Sequence, residues 1–176
     1  LAAPATTSPP PEKLVIWAEE KIAVALEPLV GAYESAAGVD IEVVIYDFGA
    51  IKNDVLTAGP AGEGPDLFVG PHDMVGEVVA NGVVAPIDLG SISDDIFEVG
   101  IAGFSYGGEV YGFPYATEAI AMYYNADLVD GVPSTWEEVK AACDAAGTEL
   151  CVGAPGGGGA GDAYHSHPFF ASDGGY

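Results

Sequence analysis

The chain is 176 residues long, room for one domain or one and a half. Hydrophobic residues make up 49% of it, enough to bury a core, and 27 acidic against 4 basic residues give a formal net charge of −23. The four cations are Lys13, Lys21, Lys52 and Lys140, with no arginine. That excludes nucleic acid and anionic membrane surfaces, whose phosphates call for clustered cations, and anionic substrates gripped by guanidinium forks. The carboxylates are dispersed rather than gathered into a tail, the pattern of charge that keeps an exported or salt-exposed protein soluble; the alternative is an acidic face that docks a basic partner.

Residues 1–12 are small, polar and rich in proline. They read as a tether that stands a mature exported protein off a surface. No run approaches the roughly 18 apolar residues of a membrane span, and no charged-then-apolar signal peptide is visible. Lys13-Leu-Val-Ile-Trp17 then reads as a buried strand. Ile22, Ala25, Leu26, Leu29, Val30 and Tyr33 recur at helical spacing, and Gly38 supplies a C-terminal stop. Pro28 must sit in the first turn of this helix or kink it. Residues 39–46 are strand-like, 51–58 helical, 59–64 a loop, 65–69 a third strand, and 72–80 a helix stopped by Asn81-Gly82. Strands alternating with helices predict βαβ crossovers and a largely parallel sheet with helices on both faces.

The second half has a different texture. Residues 109–125 are long, β-rich and aromatic. Thr135 and Glu138 have the spacing of a capping box, after which Trp136, Val139, Cys143 and Ala146 line one helix face. Residues 150–152 predict a strand, 155–161 a glycine-rich loop, and Tyr164 opens a further helical stretch. Too few elements follow Thr117 to close a second core, so the chain is expected to be the front part of a longer protein. Cys143 and Cys151 flank a turn and in an oxidising compartment could bridge helix end to following strand; the other reading is two free thiols.

Six segments, taken in order, resemble one family. They are Lys13-Leu-Val-Ile-Trp17, Gly64-Pro-Asp-Leu-Phe-Val-Gly-Pro-His-Asp73, Tyr111-Gly-Phe-Pro-Tyr-Ala-Thr-Glu118, Tyr124-Asn-Ala-Asp127, Pro133-Ser-Thr-Trp-Glu-Glu138 and Ala171-Ser-Asp-Gly-Gly-Tyr176. In this register the chain, from Lys13 to its end, resembles the extracellular solute-binding proteins of ABC importers, most closely the maltose/maltooligosaccharide-binding branch. The resemblance implies an α/β, periplasmic-binding-protein-like (type II) fold of two lobes joined by hinge strands, with the ligand in the cleft. The chain would then comprise the tether (1–12), the first α/β lobe (13–116), and the hinge with an incomplete start of the second lobe (117–176). It implies a non-catalytic receptor without cofactor, which closes on a neutral maltose- or maltodextrin-type oligosaccharide and delivers it to ABC permease subunits. The expected setting is extracytoplasmic, either periplasmic or as a lipoprotein tethered to the outer face of the cytoplasmic membrane, and the expected state is a monomer.

A neutral polyol calls for carboxylate acceptors, a few donors and aromatic planes, which is what this composition offers. Glu19, Glu20 and Lys21 follow the first strand at its carboxyl end, where open α/β sheets place ligands; the alternative is an exposed charged helix start. Asp73 matches a sugar-binding acid of the family, and a helix N-cap is the alternative. Glu118 in the hinge run matches a sugar-binding glutamate, and Asp162 and Tyr164 align with an acid and a stacking tyrosine. Trp17 and Trp136 are expected to pack rather than bind. Gly70 and Met74 stand where family members carry Trp and Arg, which removes one stacking plane and one cation.

Other chemistries fit less well. Gly156-Gly-Gly-Gly159 lacks the Gly-Lys-Ser/Thr of a phosphate loop, and His165-Ser-His167 has no clear third ligand, so no metal is expected. Two rivals stand: a receptor for another oligosaccharide or polyol, and a glycoside hydrolase using paired acids such as Glu118 and Asp73.

Overall fold

The computed structural model describes residues 13–153, 162–172 and 174–175. The tether expected over 1–12, the glycine-rich loop, Asp173 and Tyr176 lie outside the described residues. The chain divides into two compact units, Leu1–Thr117 and Glu118–Tyr176. No helix among the described residues is long and apolar enough to cross a membrane.

The first unit is built on a three-stranded sheet in the order β2-β1-β3. Strand β1 (Lys13–Ala18) pairs in parallel with β2 (Asp40–Ile45), Lys13 opposite Asp40 through Ala18 opposite Ile45. On its other side β1 pairs in parallel with the short β3 (Leu67–Phe68). The pairing runs past the formal ends of the strands. Tyr46 N–H donates to the Ala18 carbonyl at 2.8 Å, and Val69 N–H to the Trp17 carbonyl at 2.9 Å. Asp66 anchors the other end of β3, its Oδ2 accepting from Val15 N–H at 2.8 Å.

Helix α1 (Glu20–Ala37) ends on Gly38 in the left-handed region (φ 68°), the stop the sequence predicts. Its inner face is narrower than expected. Ile22, Leu26 and Val30, four apart, are half-buried, while Leu29 and Tyr33 remain exposed. Pro28 lies neither in the first turn nor at an end but in mid-helix, so the Val24 carbonyl receives no amide proton from it. Glu34 ties this helix to the sheet, Oε1 accepting from Ile41 N–H at 2.8 Å.

Helix α2 (Ile51–Ala61) runs three residues beyond its predicted end. Pro60 sits inside its last turn, and Gly62 (φ 74°), within the expected loop, closes it. Residues 72–80 split into a 3-10 turn (His72–Met74) and α3 (Val75–Ala80). The core is small and gathers around α2 and α3. Ala18, Val39, Ile51, Val55, Met74, Val75 and Val78 are its buried apolar side chains. After α4 (Glu98–Gly103) a hairpin pairs β4 (Ser105–Tyr106) with β5 (Glu109–Val110) through Gly107 and Gly108, both at positive φ. Beyond Val110 the strand expected through residue 125 is absent among the described residues. An extended run becomes a strand only against a hydrogen-bonded partner, and β4 is too short to accompany it.

In the second unit α5 (Trp136–Ala146) begins with the predicted capping box. Glu138 N–H donates to Thr135 Oγ1 at 3.2 Å, and Thr135 N–H to Glu138 Oε2 at 3.3 Å. Gly147 (φ 63°) ends the helix. Residues 150–152 form no strand; instead Cys151 is disulfide-bonded to Cys143, with Cα atoms 5.2 Å apart. Helix α6 (Ala163–Ser172) follows, its ring stack of Phe169 on Trp136 (centroids 5.5 Å apart) joining it to α5. None of the described residues in this unit is fully buried.

Candidate functional site

Three parallel strands share one carboxyl edge, and the backbone bonds from Tyr46 and Val69 to β1 hold the three exits side by side there. Glu19, Glu20 and Lys21 emerge at that edge from β1. Glu19 is half-buried at the N-cap of α1 without a side-chain cap bond, and Glu20 and Lys21 are exposed. Among the described residues Lys13 pairs with Glu42 and Lys52 with Glu77, whereas Lys21 enters no ion pair. It is the cation left to donate at this edge.

Asp73 follows β3 at the same edge, exposed in the 3-10 turn. The capping alternative does not hold for it: the N-caps of the turn and of α3 are Pro71 and Met74, and neither makes a side-chain cap bond. Beside it the Gly70 and Met74 positions are coupled. A Cβ on Gly70 would fall 2.6 Å from Met74 Sδ, so the buried thioether occupies the space that a side chain at position 70 would need. Trp17 packs as expected, stacked on Tyr46 at 4.2 Å and 9°. The Tyr46 hydroxyl donates to Asp54 Oδ2 on α2 at 2.8 Å, which, with desolvation and the like charge, pushes the phenol above its ordinary range.

In the second unit the structure brings Glu118 and Tyr164, 46 residues apart, into contact. The Tyr164 hydroxyl donates to Glu118 Oε1 at 2.8 Å, and this bond is the first cause of the raised pKa of the phenol. Both line an open cleft of about 910 Å3, together with Tyr124, Met122, Phe169 and Trp136. Trp136 packs as expected, stacked on Phe169 at the start of α5, and its open face lines the cleft. Asp162 serves chiefly as the N-terminal cap of α6. Its Oδ1 accepts from His165 N–H at 3.0 Å and its Oδ2 from His165 Nδ1–H at 2.7 Å. These two bonds, backbone first, hold its carboxyl below the ordinary range. His165, weighed in the sequence only as half of a metal pair, lines the cleft as well. The signal that could have found it is the Asp-x-x-His spacing, which puts an imidazole on the third residue of a capped helix. Among the described residues no group of three or more His, Cys, Asp and Glu could hold a metal ion.

Residues 29–175 match the bacterial extracellular solute-binding protein family. The chain belongs to that family. A maltotriose-binding protein of Pyrococcus abyssi is 36% identical over 105 residues, covering 57% of this chain and 23% of the relative. A maltooligosaccharide ABC transporter solute-binding lipoprotein of Streptococcus pneumoniae is 28% identical over 131 residues, covering 73% and 30%. A galactooligosaccharide-binding protein of Bacillus subtilis is 28% identical over 129 residues, covering 72% and 31%. Among solved structures, a cyclo/maltodextrin-binding protein complexed with maltotetraose superposes with a TM-score of 0.70 at 31% identity, covering 77% of this chain and 36% of that one. The Thermus thermophilus maltotriose-binding protein with maltotriose does so with a TM-score of 0.60 at 31% identity, covering 74% and 36%. The fold is thus that of the maltodextrin-binding type, and the chain spans about a quarter to a third of the length of the relatives it matches.

Proposed function

We propose that the protein is an extracytoplasmic receptor that captures neutral oligosaccharides of the maltooligosaccharide class for an ABC importer, without chemically altering them. The observation that carries this reading is the likeness, at 31% identity and a TM-score of 0.70, to a protein complexed with maltotetraose. The chemistry supports it. In the first unit Glu19, Glu20 and Asp73 are acceptors for hydroxyl protons and Lys21 is a donor. In the second, Glu118 and Tyr164 supply a preorganised polar pair beside aromatic faces, a pattern suited to sugar rings. Asp162 acts there indirectly, as the cap of α6. The disulfide fits an oxidising compartment, consistent with a receptor outside the cytoplasm, whether free or lipid-tethered. A separate likeness, 28% identity over 129 residues to a galactooligosaccharide-binding protein, favours a second reading, in which the linkage recognised is that of galactose.

The test is a tryptophan-fluorescence titration of the full-length protein with maltotriose, run beside Glu118→Ala. Removing a charged hydrogen-bonding partner of the ligand costs about 1.5–3 kcal/mol, so affinity should fall about 10- to 150-fold. An unchanged Kd would remove Glu118 from the site. Reducing sugar released from maltotriose during the titration would point instead to a glycoside hydrolase.

A further inference from the structure

We propose that the Cys143–Cys151 disulfide is the positioning element of one wall of the second unit's cleft, so that sugar affinity follows its thiol–disulfide state. This inference rests on the reading of the protein as a sugar receptor and adds a redox dependence to that site.

The argument starts with how residues 148–153 are held. Helix α5 is fixed at its first turn by the capping box and by the stack of Trp136 on Phe169. It ends at Gly147, whose positive φ (63°) turns the chain off the helix. Residues 148–153 then form neither helix nor strand. Among the described residues no backbone or side-chain hydrogen bond reaches them. Apolar packing does not take the place of those bonds, since Leu150 is 84% exposed and Val152 42%. What ties the segment back is the bridge. Cys143 is half-buried in the last turn of α5, and the Cα of Cys151, eight residues on, lies 5.2 Å from it.

The tethered segment faces the cleft. Thr148, Leu150, Cys151 and Val152 line it together with the Glu118–Tyr164 pair. With the bridge open, Gly147 is the remaining anchor of the segment to α5. Its side chains must then be immobilised each time a ligand binds, and that ordering is subtracted from the affinity.

The chemistry of opening is thiol–disulfide exchange. Cys151 is exposed, so a thiolate can reach its sulfur. One thiolate of a dithiol attacks a bridge sulfur, breaks the Sγ–Sγ bond and forms a mixed disulfide, which the second thiol resolves. The two cysteines gain two electrons and two protons, and the dithiol closes to its own disulfide. An oxidising setting keeps the wall in place, and a reducing one loosens it.

A bridge that only stabilises the fold would lower the melting temperature when opened and leave affinity alone. The two roles separate by linkage: if reduction weakens sugar binding by some factor, saturating sugar disfavours reduction by the same factor.

The experiment is calorimetric titration of the full-length protein with maltotriose, oxidised and after reduction with dithiothreitol, well below the melting temperature of either form. Mass after alkylation confirms the state of the bridge. Reduction should raise Kd about tenfold, the cost of immobilising one or two side chains on binding, and reoxidation should restore it. Cys143→Ser/Cys151→Ser should match the reduced protein and ignore dithiothreitol. Saturating maltotriose should lower the reduction potential of the bridge by about 30 mV, the equivalent of a tenfold change for a two-electron couple. Equal Kd in the oxidised and reduced proteins would overturn the inference and leave the sugar reading standing. So would loss of the helical far-UV signal both on reduction and in the double serine variant, because the bridge would then hold the whole unit rather than one wall. No maltotriose binding by the oxidised protein would overturn both.

Discussion

Gly70→Leu probes how the carboxyl edge of the first unit is packed. Gly70 is not among the glycines at positive φ, so its backbone accepts a side chain without strain. The obstacle is Met74, whose Sδ would lie 2.6 Å from the new Cβ where ordinary contact begins at 3.4 Å. The thioether must move by about 0.8 Å or more, and at 4% exposure it has no solvent to retreat into. Overpacking of this kind costs about 1–3 kcal/mol, offset by about 0.4–1 kcal/mol from the stiffer unfolded chain, leaving a loss of about 1–2 kcal/mol. Met74→Ala alone should cost about 2–5 kcal/mol through the cavity it leaves. In the double variant the leucine enters that cavity, so the two losses should fall short of their sum by at least about 1 kcal/mol. Urea unfolding followed by Trp17 fluorescence in a Trp136→Phe background reads the first unit selectively. Additivity within about 0.5 kcal/mol would refute the claim that Met74 fills the place of a residue-70 side chain.

Two further outcomes follow from the second unit. Replacing Cys143 and Cys151 by alanine opens a nine-residue loop and should lower stability by about 2.5 kcal/mol on chain entropy, read as a drop in melting temperature; unchanged melting would show that the bridge stabilises nothing. Asp162 has a folded pKa lowered from its ordinary 3.8, so its contribution to α6 is complete above that value and is lost as the pH falls through the lower, folded one. Helicity measured from pH 5 to pH 2 should therefore show an acid-dependent loss that Asp162→Ala lacks, and equal acid curves for the two proteins would contradict the assignment.

The parallel sheet, the glycine stops at Gly38 and Gly82, and the capping box at Thr135 were legible in the sequence, because each is a local rule that a few residues decide. What was not legible depended on neighbours. Residues 111–125 carry β-forming side chains, yet strand formation needs a partner, and composition cannot supply one. The face of α1 narrowed because burial follows what the helix packs on, leaving Leu29 and Tyr33 outside despite their spacing. At the candidate site the acids were identified by type and place, but their commitments were not. Glu118 is engaged by a tyrosine 46 residues away, and Asp162 is consumed by capping. The place of His165 is not legible from its pairing with His167, because its partner is an acid three residues before it rather than a second metal ligand.

The central claim, capture of a neutral oligosaccharide of the maltooligosaccharide class, is tested most directly by calorimetry of the full-length protein with maltotriose, with a galactooligosaccharide of equal length run in parallel. The account predicts saturable binding of maltotriose at one site per chain, tighter than that of the galactooligosaccharide. Absence of saturable heat with maltotriose, with or without binding of the galactose sugar, would contradict it.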